Sequence, residues 1–214
     1  MLIDLAVHSE WREKCKKEIR ELLSRHSGSA SSGTLREKLE TVPVSAWEDE
    51  LPIVDACIRE TQRITLSATI IRRNLREDIK IAGRVVKRGD FLTYSFGDVH
   101  LNPEYYPEPY KYDPDRWLQP GGAPDAPYSF LGWGGGRHPC TGMKVAKLEM
   151  KLILAMFLTG YEYEVVDRDG KFPANWPVPD RNDRHQVCVE EETFSFVADY
   201  IFSFVCLGTS SWKS

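Results

Sequence analysis

The chain has 214 residues, of which 42% are hydrophobic and 28% are charged. This balance is that of a folded globular protein with one or two domains, and it excludes an intrinsically disordered chain. The net charge of -4 disfavours a nucleic-acid-binding protein, which usually carries a basic patch or stripe. The five cysteines include no C-x-x-C pair, so their spacing does not indicate a zinc cluster, and their odd number favours a reducing compartment over a disulfide framework.

The N-terminal part of the chain is predicted to be helical. Residues 5–26 carry apolar side chains among charges at helical spacing, which predicts one amphipathic helix. The serine- and glycine-rich residues 27–33 are typical of a surface connector. Ser45 and Glu48 have the spacing of a capping box. Because proline is tolerated in a first helical turn, Pro52 predicts that the main helix of this region begins afresh there.

The following sequence predicts a small β-component, then coil, then another helix. The run "IKIAGRVVKRGDFLTYS" predicts two short strands around a turn and then a third strand. The many prolines of "LNPEYYPEPYKYDPDRW" predict an ordered coil, and a helix is predicted from about residue 141 to 159. The predicted fold class is therefore mainly α with minor antiparallel β (α+β).

Residues 129–150, "SFLGWGGGRHPCTGMKVAKLEM", place four glycines within five positions, shortly before a cysteine at the start of the last predicted helix. A phosphate-binding loop is disfavoured, because neither a preceding strand nor a following Lys-Ser/Thr is present. The first turn of a helix exposes unpaired N–H groups and the positive end of the helix dipole, and both favour a thiolate at Cys140. Glycines let main chain approach a flat partner closely, so this loop is suited to ligating a haem iron.

Other residues of the loop are expected to contact the same cofactor. Amides of the first helical turn near Gly142 are expected to hydrogen-bond the sulfur and tune its donor strength. The cationic pair Arg137 and His138 is expected to reach the anionic propionates of such a cofactor. A cysteine peptidase using His138 and Cys140 is disfavoured, because the two residues lie only two positions apart and Pro139 stiffens the link.

The sequence "WGGGRHPCTG" resembles the cysteine-ligand loop of the cytochrome P-450 superfamily of haem-thiolate monooxygenases. The family pattern has an aromatic residue seven places before the cysteine, a glycine four before, a basic residue two before and a glycine two after. Trp133, Gly136, His138 and Gly142 occupy these positions around Cys140. The Arg-His order is similar to the branch of sterol 14-demethylases and related fungal enzymes, although Trp replaces the usual Phe and a proline directly precedes the cysteine. The resemblance implies that Cys140 is the axial ligand of the iron.

Two further stretches resemble family motifs. The run "RETQR" places Glu60 and Arg63 three residues apart, on one helical face, and "YDPDRW" contributes Arg116. The resemblance implies that these three residues form a buried charge network that pins the coil near the haem loop. A carboxylate shared by two guanidinium groups is well satisfied, so the implied role is structural and not catalytic.

Three more residues are assigned by the same resemblance. Gly134 belongs to the cofactor-binding loop, and Arg73, ten residues after Arg63, has the spacing of a propionate-binding arginine. His100 leads the segment "HLNPEYYPEP", which resembles a family stretch with a leading histidine, and it is expected to form structural hydrogen bonds and not to bind metal.

The resemblance implies the C-terminal half of the cytochrome P-450 fold. Residues 1–186 are assigned to the proximal part of a haem domain, and residues 187–214 form a divergent tail without a family match. The distal oxygen-activating helix and its residues are expected to be absent, so no catalytic residue is assigned. The chain is expected to be a fragment, inactive alone.

The implied reaction is the oxidation of a hydrophobic small molecule by O₂. The implied cofactor is haem b, and the implied partner is an NADPH-dependent reductase docking near Arg137, Lys144 and Lys147. Two alternatives stay open: a Cys-ligated haem-binding module without turnover, and a non-functional truncated product. The amino terminus meets charge within four residues, unlike a signal peptide or membrane anchor. The resemblance places the parent enzyme at the cytoplasmic face of the endoplasmic-reticulum membrane.

Overall fold

The computed structural model describes residues 1–28, 32–66, 68–166 and 203–209. The chain forms two units, one made of Met1–Ile58 with Thr141–Ser214 and the other of Arg59–Cys140. The helices are α1 (Leu2–Val7), α2 (Ser9–His26), α3 (Leu35–Thr41), α4 (Val44–Asp49), α5 (Pro52–Thr65), α6 (Phe96–His100), α7 (Asp115–Leu118) and α8 (Met143–Gly160). The strands are β1 (Thr69–Arg73), β2 (Ile79–Ile81), β3 (Arg84–Val86), β4 (Phe91–Ser95), β5 (Tyr161–Val166) and β6 (Ser203–Thr209).

The predicted fold class, mainly α with minor antiparallel β, is confirmed. In the described part of the chain each sheet has two antiparallel strands, with β1 paired to β4, β2 to β3 and β5 to β6. The three strands predicted after residue 78 are present as β2, β3 and β4. Strand β1 was not predicted, because its run TIIRR is short and ends in charges.

The prediction of one helix over residues 5–26 is wrong. The chain forms α1 and α2, separated at His8, whose φ of -99° and ψ of 76° lie outside the helical region. The His8 carbonyl nevertheless accepts hydrogen bonds from the amides of Trp11 and Arg12, so the second helix begins directly after it. Both segments keep their apolar spacing across the break, and the sequence pattern therefore looks continuous.

The core of the first unit is built on the apolar face of α2. Its buried side chains recur at helical spacing and include Trp11, Cys15, Ile19 and Leu22. Burying each large apolar side chain of this kind contributes about 1.5–3 kcal/mol. The thiols of Cys15 and Cys57 lie 3.6 Å apart in this core. Their hydrogen bond and their burial raise the pKa of the Cys15 thiol far above its usual range, so it stays protonated.

The capping box predicted at Ser45 and Glu48 is wrong. Helix α4 begins at Val44 with Pro43 as its N-cap, so Ser45 lies inside the helix and makes no capping bond. A capping box is present instead on α3, where the Thr34 side chain accepts from the Glu37 amide and the Glu37 carboxylate accepts from the Thr34 amide. Both segments have the Ser/Thr-x-x-Glu spacing, but Pro43 takes the N-cap position of α4, so only Thr34 acts as a capping residue.

The prediction that a helix begins afresh at Pro52 is confirmed. The free amides of its first turn, those of Ile53 and Val54, each donate to the Glu18 carboxylate at 2.9 Å. A carboxylate at this position also interacts favourably with the positive end of the helix dipole. Helix α2 therefore fixes the start of α5.

The last predicted helix is confirmed as α8, which begins two residues later and ends one residue later than expected. The tail assigned to residues 187–214 lies outside the described residues except for strand β6. In the described part of the chain, none of the helices combines the length and the apolar character that crossing a bilayer requires.

Candidate functional site

The second unit contains a buried carboxylate surrounded by donors. Glu60 and Arg63 lie one turn apart on α5, and both are completely buried. Arg63 donates from Nε and Nη2 to the two oxygens of Glu60 at 3.0 and 2.8 Å. Arg116 Nε donates to Glu60 Oε1 at 3.1 Å, so the structure brings the three predicted network residues together. Trp117 Nε1, at 2.9 Å, and the Asp113 amide, at 3.0 Å, complete the set of donors.

The Arg63 guanidinium also fixes the proline-rich coil. Its Nη1 donates to the carbonyls of His100, at 2.8 Å, and Pro109, at 2.7 Å. Its Nη2 donates to the carbonyl of Lys111 at 3.2 Å. Its Cζ atom lies over the Tyr106 ring, 4.9 Å from the ring centre. One side chain of α5 therefore holds three separate points of a coil that has little regular structure of its own.

The imidazole of His100 joins this coil to the glycine-rich loop. His100 is fully buried, and its Nε2 accepts the amide of Leu131 at 2.8 Å. Burial, assisted by the charge of Arg63, lowers the pKa of His100 to about 4, so the ring is neutral at physiological pH. The acceptor role of Nε2 places the ring proton on Nδ1. The ring stacks on Phe130 with centroids 5.3 Å apart.

The loop between Leu131 and Cys140 is closed by its own backbone. The Cys140 amide donates to the Trp133 carbonyl at 2.7 Å, and the Gly134 amide donates to the Leu131 carbonyl at 2.9 Å. Gly134 and Gly136 have φ values of 77° and 71°, in the region that favours glycine. Cys140, Arg137 and His138 are exposed. The cysteine is therefore presented on the surface of its unit and is not buried among hydrocarbon side chains.

A side chain at Gly132 is expected to disturb the loop. A Cβ there would overlap the Phe130 ring and lie 3.0 Å from Gln62 Oε1. The ring has little room to move, because it packs against both His100 and Trp117. We expect Gly132→Ala to lower the free energy of unfolding by about 1–3 kcal/mol, the usual cost of overpacking, measured by urea unfolding.

The matched control for this variant is Gly160→Ala at the end of α8. A Cβ at Gly160 would meet only Leu35 Cδ2 at 3.5 Å, an ordinary van der Waals contact. Equal urea midpoints for the two alanine variants would contradict the predicted crowding at Gly132.

Two predicted cofactor residues lie outside the loop itself. Arg73 lies exposed at the end of β1, where its Nε donates to the Gly89 carbonyl at 3.2 Å and its guanidinium lies 5.5 Å from the centre of the Phe91 ring. Gly142 is the N-cap of α8, and its carbonyl accepts from the amide of Ala146. The structure gives both residues local contacts, and their cofactor contacts remain predictions.

Sequence reasoning missed two parts of the site. Trp117 donates to Glu60 from the position directly after Arg116, so the motif "YDPDRW" held the signal. The contact of His100 with the loop joins residues 31 positions apart. No local pattern reports such a contact, because it depends on the path of the coil between the two residues.

Comparisons with known proteins identify the family. The family model described as Cytochrome P450 matches residues 1–189. The chain is 38% identical over 177 residues to Cytochrome P450 monooxygenase AacuE of Aspergillus aculeatus and 35% identical over 177 residues to Cytochrome P450 monooxygenase nsrP of Aspergillus novofumigatus. Each alignment covers 80% of this chain, and they cover 35% and 34% of the two relatives. The chain therefore belongs to the cytochrome P450 family.

A solved structure agrees with this assignment. The structure described as Retinoic acid bound cyanobacterial CYP120A1 superposes with a TM-score of 0.59 at 25% sequence identity, covering 76% of this chain and 34% of that one. The fold expected from the resemblance is thus confirmed, whereas the sterol 14-demethylase-like branch stays a prediction. The chain spans about a third of the length of the curated relatives it matches.

The family implies a haem cofactor, and the residues of the loop fit one. The Cys140 thiol is exposed, and a Cβ added at Gly136 would meet no atom within 4 Å, so this part of the loop leaves open space. Trp133 Nε1 is buried without a hydrogen-bond partner among the described residues. A buried donor of this kind is costly unless a bound group satisfies it. An anionic cofactor whose metal accepts a thiolate ligand matches these features, because it offers an acceptor for the Trp133 donor and a site for the Cys140 sulfur.

Proposed function

We propose that the chain supplies the haem-ligating part of a monooxygenase that oxidises a hydrophobic small molecule. The single observation that carries the proposal is the exposed Cys140 at the end of a glycine-rich loop that its own backbone closes. The names of the two fungal relatives, both described as monooxygenases, support the reaction class. The cofactor proposed is haem b.

Each loop residue has a proposed role. Cys140, as the thiolate, would hold the haem iron, and Gly134 and Gly136, which carry no side chains, would leave room for the cofactor. Arg137 and His138 pair with the propionates, as does Arg73 if it leaves its contact with Gly89. Trp133, from its buried Nε1, donates to an acceptor of the bound group. When bound, the haem supplies oxygen activation, which a thiolate ligand favours by donating electron density.

The proposed electron donor is an NADPH-dependent reductase, and the proposed place of the intact enzyme is the endoplasmic-reticulum membrane. Helix α8 presents Lys144 as an exposed cation, 3.6 Å from Glu48, and the half-buried Lys147 lies 3.7 Å from Asp55. Lys144 and Lys147 on helix α8, and Arg137 of the cysteine loop, are each proposed to contribute a cation to docking. The three residues Glu60, Arg63 and Arg116 have a structural role in this proposal.

The test is the ferrous–CO difference spectrum of the full 214-residue chain after incubation with haem. We expect a thiolate-type spectrum that is lost completely in Cys140→Ser, because serine is a poor ligand for ferrous iron. Cys15→Ser, the same chemical change at a buried cysteine, is the matched control and is expected to keep the spectrum. A thiolate-type spectrum that persists in Cys140→Ser would overturn the assignment of the ligand.

Oxidation assays separate this proposal from its alternatives. Haem uptake with a thiolate-type spectrum, but without substrate oxidation by the intact protein and a reductase, would favour a haem-binding module. Failure of the chain to take up haem would favour a non-functional product. Oxidation of a lipid-like substrate that requires both O₂ and Cys140 supports the monooxygenase.

A further inference from the structure

We propose that His100 is a positioning residue of the cysteine loop, and that the loop is held in place only while the His100 ring is neutral. The inference rests on the proposed function of Cys140 as a haem ligand. It assigns to a histidine far from the cysteine in sequence a direct influence on the ligand loop.

The first step is the contact between His100 and the start of the loop. The amide of Leu131 donates to His100 Nε2 at 2.8 Å, and both residues are buried. Because no water reaches a buried amide readily, loss of the imidazole acceptor leaves a donor without a partner, which is costly. The interaction is therefore an anchor for Leu131, not an incidental surface contact.

The second step is the path from Leu131 to the cysteine. The carbonyl of Leu131 accepts from the Gly134 amide, and the carbonyl of Trp133, the residue before that glycine, accepts from the Cys140 amide at 2.7 Å. These backbone bonds make the position of Cys140 depend on the position of Leu131. An anchor at one end of the loop thus constrains the sulfur at the other end.

The third step is that His100 is itself fixed. Its carbonyl accepts from Arg63 Nη1 at 2.8 Å, and its ring lies between Phe96 and Phe130. The buried charge network on Glu60 thereby reaches the loop through one residue, whose backbone contacts Arg63 and whose side chain contacts Leu131. His100 Nδ1 has no hydrogen-bond partner among the described residues, so the bond to the Leu131 amide is the hydrogen bond by which the ring is held there.

The fourth step concerns the proton. A protonated imidazole donates from both nitrogens, so Nε2 would face the Leu131 amide as donor against donor. The charged group that acts on the ring is Arg63 on α5, which is paired with Glu60. The residues of α6 and the loop that contact the ring, Phe96, Phe130 and Leu131, are uncharged, and Arg59 lies on Phe130. Burial and Arg63 lower the pKa of His100 to about 4, so protonation is confined to strongly acidic conditions. Acidification is then expected to release the loop.

The test compares His100→Leu with His100→Gln. Glutamine carries an oxygen that can accept the Leu131 amide, whereas leucine fills the volume without an acceptor. In the haem-free chain, we expect hydrogen exchange of the Leu131 amide to be at least tenfold faster in His100→Leu than in wild type and to be largely restored in His100→Gln. In the haem-loaded chain, the thiolate-type fraction of the ferrous–CO spectrum is expected to fall in His100→Leu and to recover in His100→Gln.

His8→Leu, a change at a histidine in the first unit, is the control and is expected to change neither readout. If the Leu131 amide of His100→Leu exchanges at the same rate as in wild type, the inference is overturned. If His100→Leu does not fold, His100→Gln decides alone: a protected Leu131 amide supports the inference, and a fast-exchanging one overturns it. If the wild-type chain takes up no haem, the proposed function fails, while the exchange measurement still decides the role of His100.

A pH series tests the proton dependence. Protection of the Leu131 amide, relative to amides of α2, is expected to fall in wild type as the pH drops from about 6.5, the ordinary pKa of histidine, through about 4. It is expected to persist in His100→Gln, whose acceptor does not titrate in this range. Equal loss of protection in wild type and His100→Gln would show that protonation of His100 does not control the Leu131 amide.

Discussion

Glu60→Gln is expected to lower the free energy of unfolding by about 3–5 kcal/mol, the range for removing one partner of a buried ion pair. Five hydrogen bonds converge on the Glu60 carboxylate, and three of them come from the buried guanidinium groups of Arg63 and Arg116. Glutamine preserves the shape but removes the negative charge and places an amide donor among donors. Two buried cations would then lack a counter-charge.

Urea unfolding followed by tryptophan fluorescence measures this effect, since Trp117 itself contacts Glu60. Glu40→Gln is the matched control, because Glu40 pairs with Arg36 on the surface, where screening by water makes ion pairs weak. We expect the control to leave the urea midpoint unchanged. A Glu60→Gln midpoint equal to that of the control would show that the network does not stabilise the second unit.

Lys151→Met is expected to lower the free energy of unfolding by about 2–4 kcal/mol, because it removes the donor to three buried or half-buried acceptors. Lys151 is 2% exposed, and its Nζ donates to the carbonyls of Trp47, at 2.8 Å, and Glu48, at 3.1 Å, in the last turn of α4. It also donates to Asp55 Oδ2 at 2.9 Å. Methionine fills a similar volume but leaves these acceptors without their cation. The expected cost is below that of Glu60→Gln, because Asp55 is partly exposed and also pairs with Lys147.

Lys144→Met is the control on the same helix. The Lys144 side chain is 78% exposed, so the change should shift the urea midpoint little. A double-mutant cycle of Lys151→Met with Asp55→Asn isolates the pairwise coupling, which we expect to be favourable. Additive costs in this cycle would show that Lys151 acts only through the α4 carbonyls.

Local sequence patterns predicted those elements whose signal lies within a few residues. Pro52 at a first turn and the apolar spacing of α8 predicted helices that the structure contains. The same kind of pattern failed at His8, where apolar side chains continue through a break in the backbone. It also failed at Ser45, where Pro43 takes the N-cap position and shifts the serine into the helix. Periodicity reports which face is buried, but a single backbone angle interrupts a helix without changing that face.

In the candidate site, too, local motifs predicted some features and missed others. The motifs "RETQR" and "YDPDRW", through their resemblance to the family, predicted the three residues that the structure joins in the charge network, and the role of Cys140 as the ligand stays a prediction. The carbonyl partners of Arg63 and the bond between His100 and Leu131 were not predictable, because they join segments 31 to 48 positions apart.

The sequence by itself determined the family and predicted helices α5 and α8, because these depend on residue types at short, fixed spacings, whereas the assignment of Cys140 as the ligand stays a prediction. Only the tertiary structure decided how the loop is held: which carbonyls share the Arg63 guanidinium, and that a neutral His100 accepts the Leu131 amide. The physical reason is that a buried polar group takes its partner from whatever backbone the long coil brings within about 3 Å, and the path of that coil is set by packing of the whole unit.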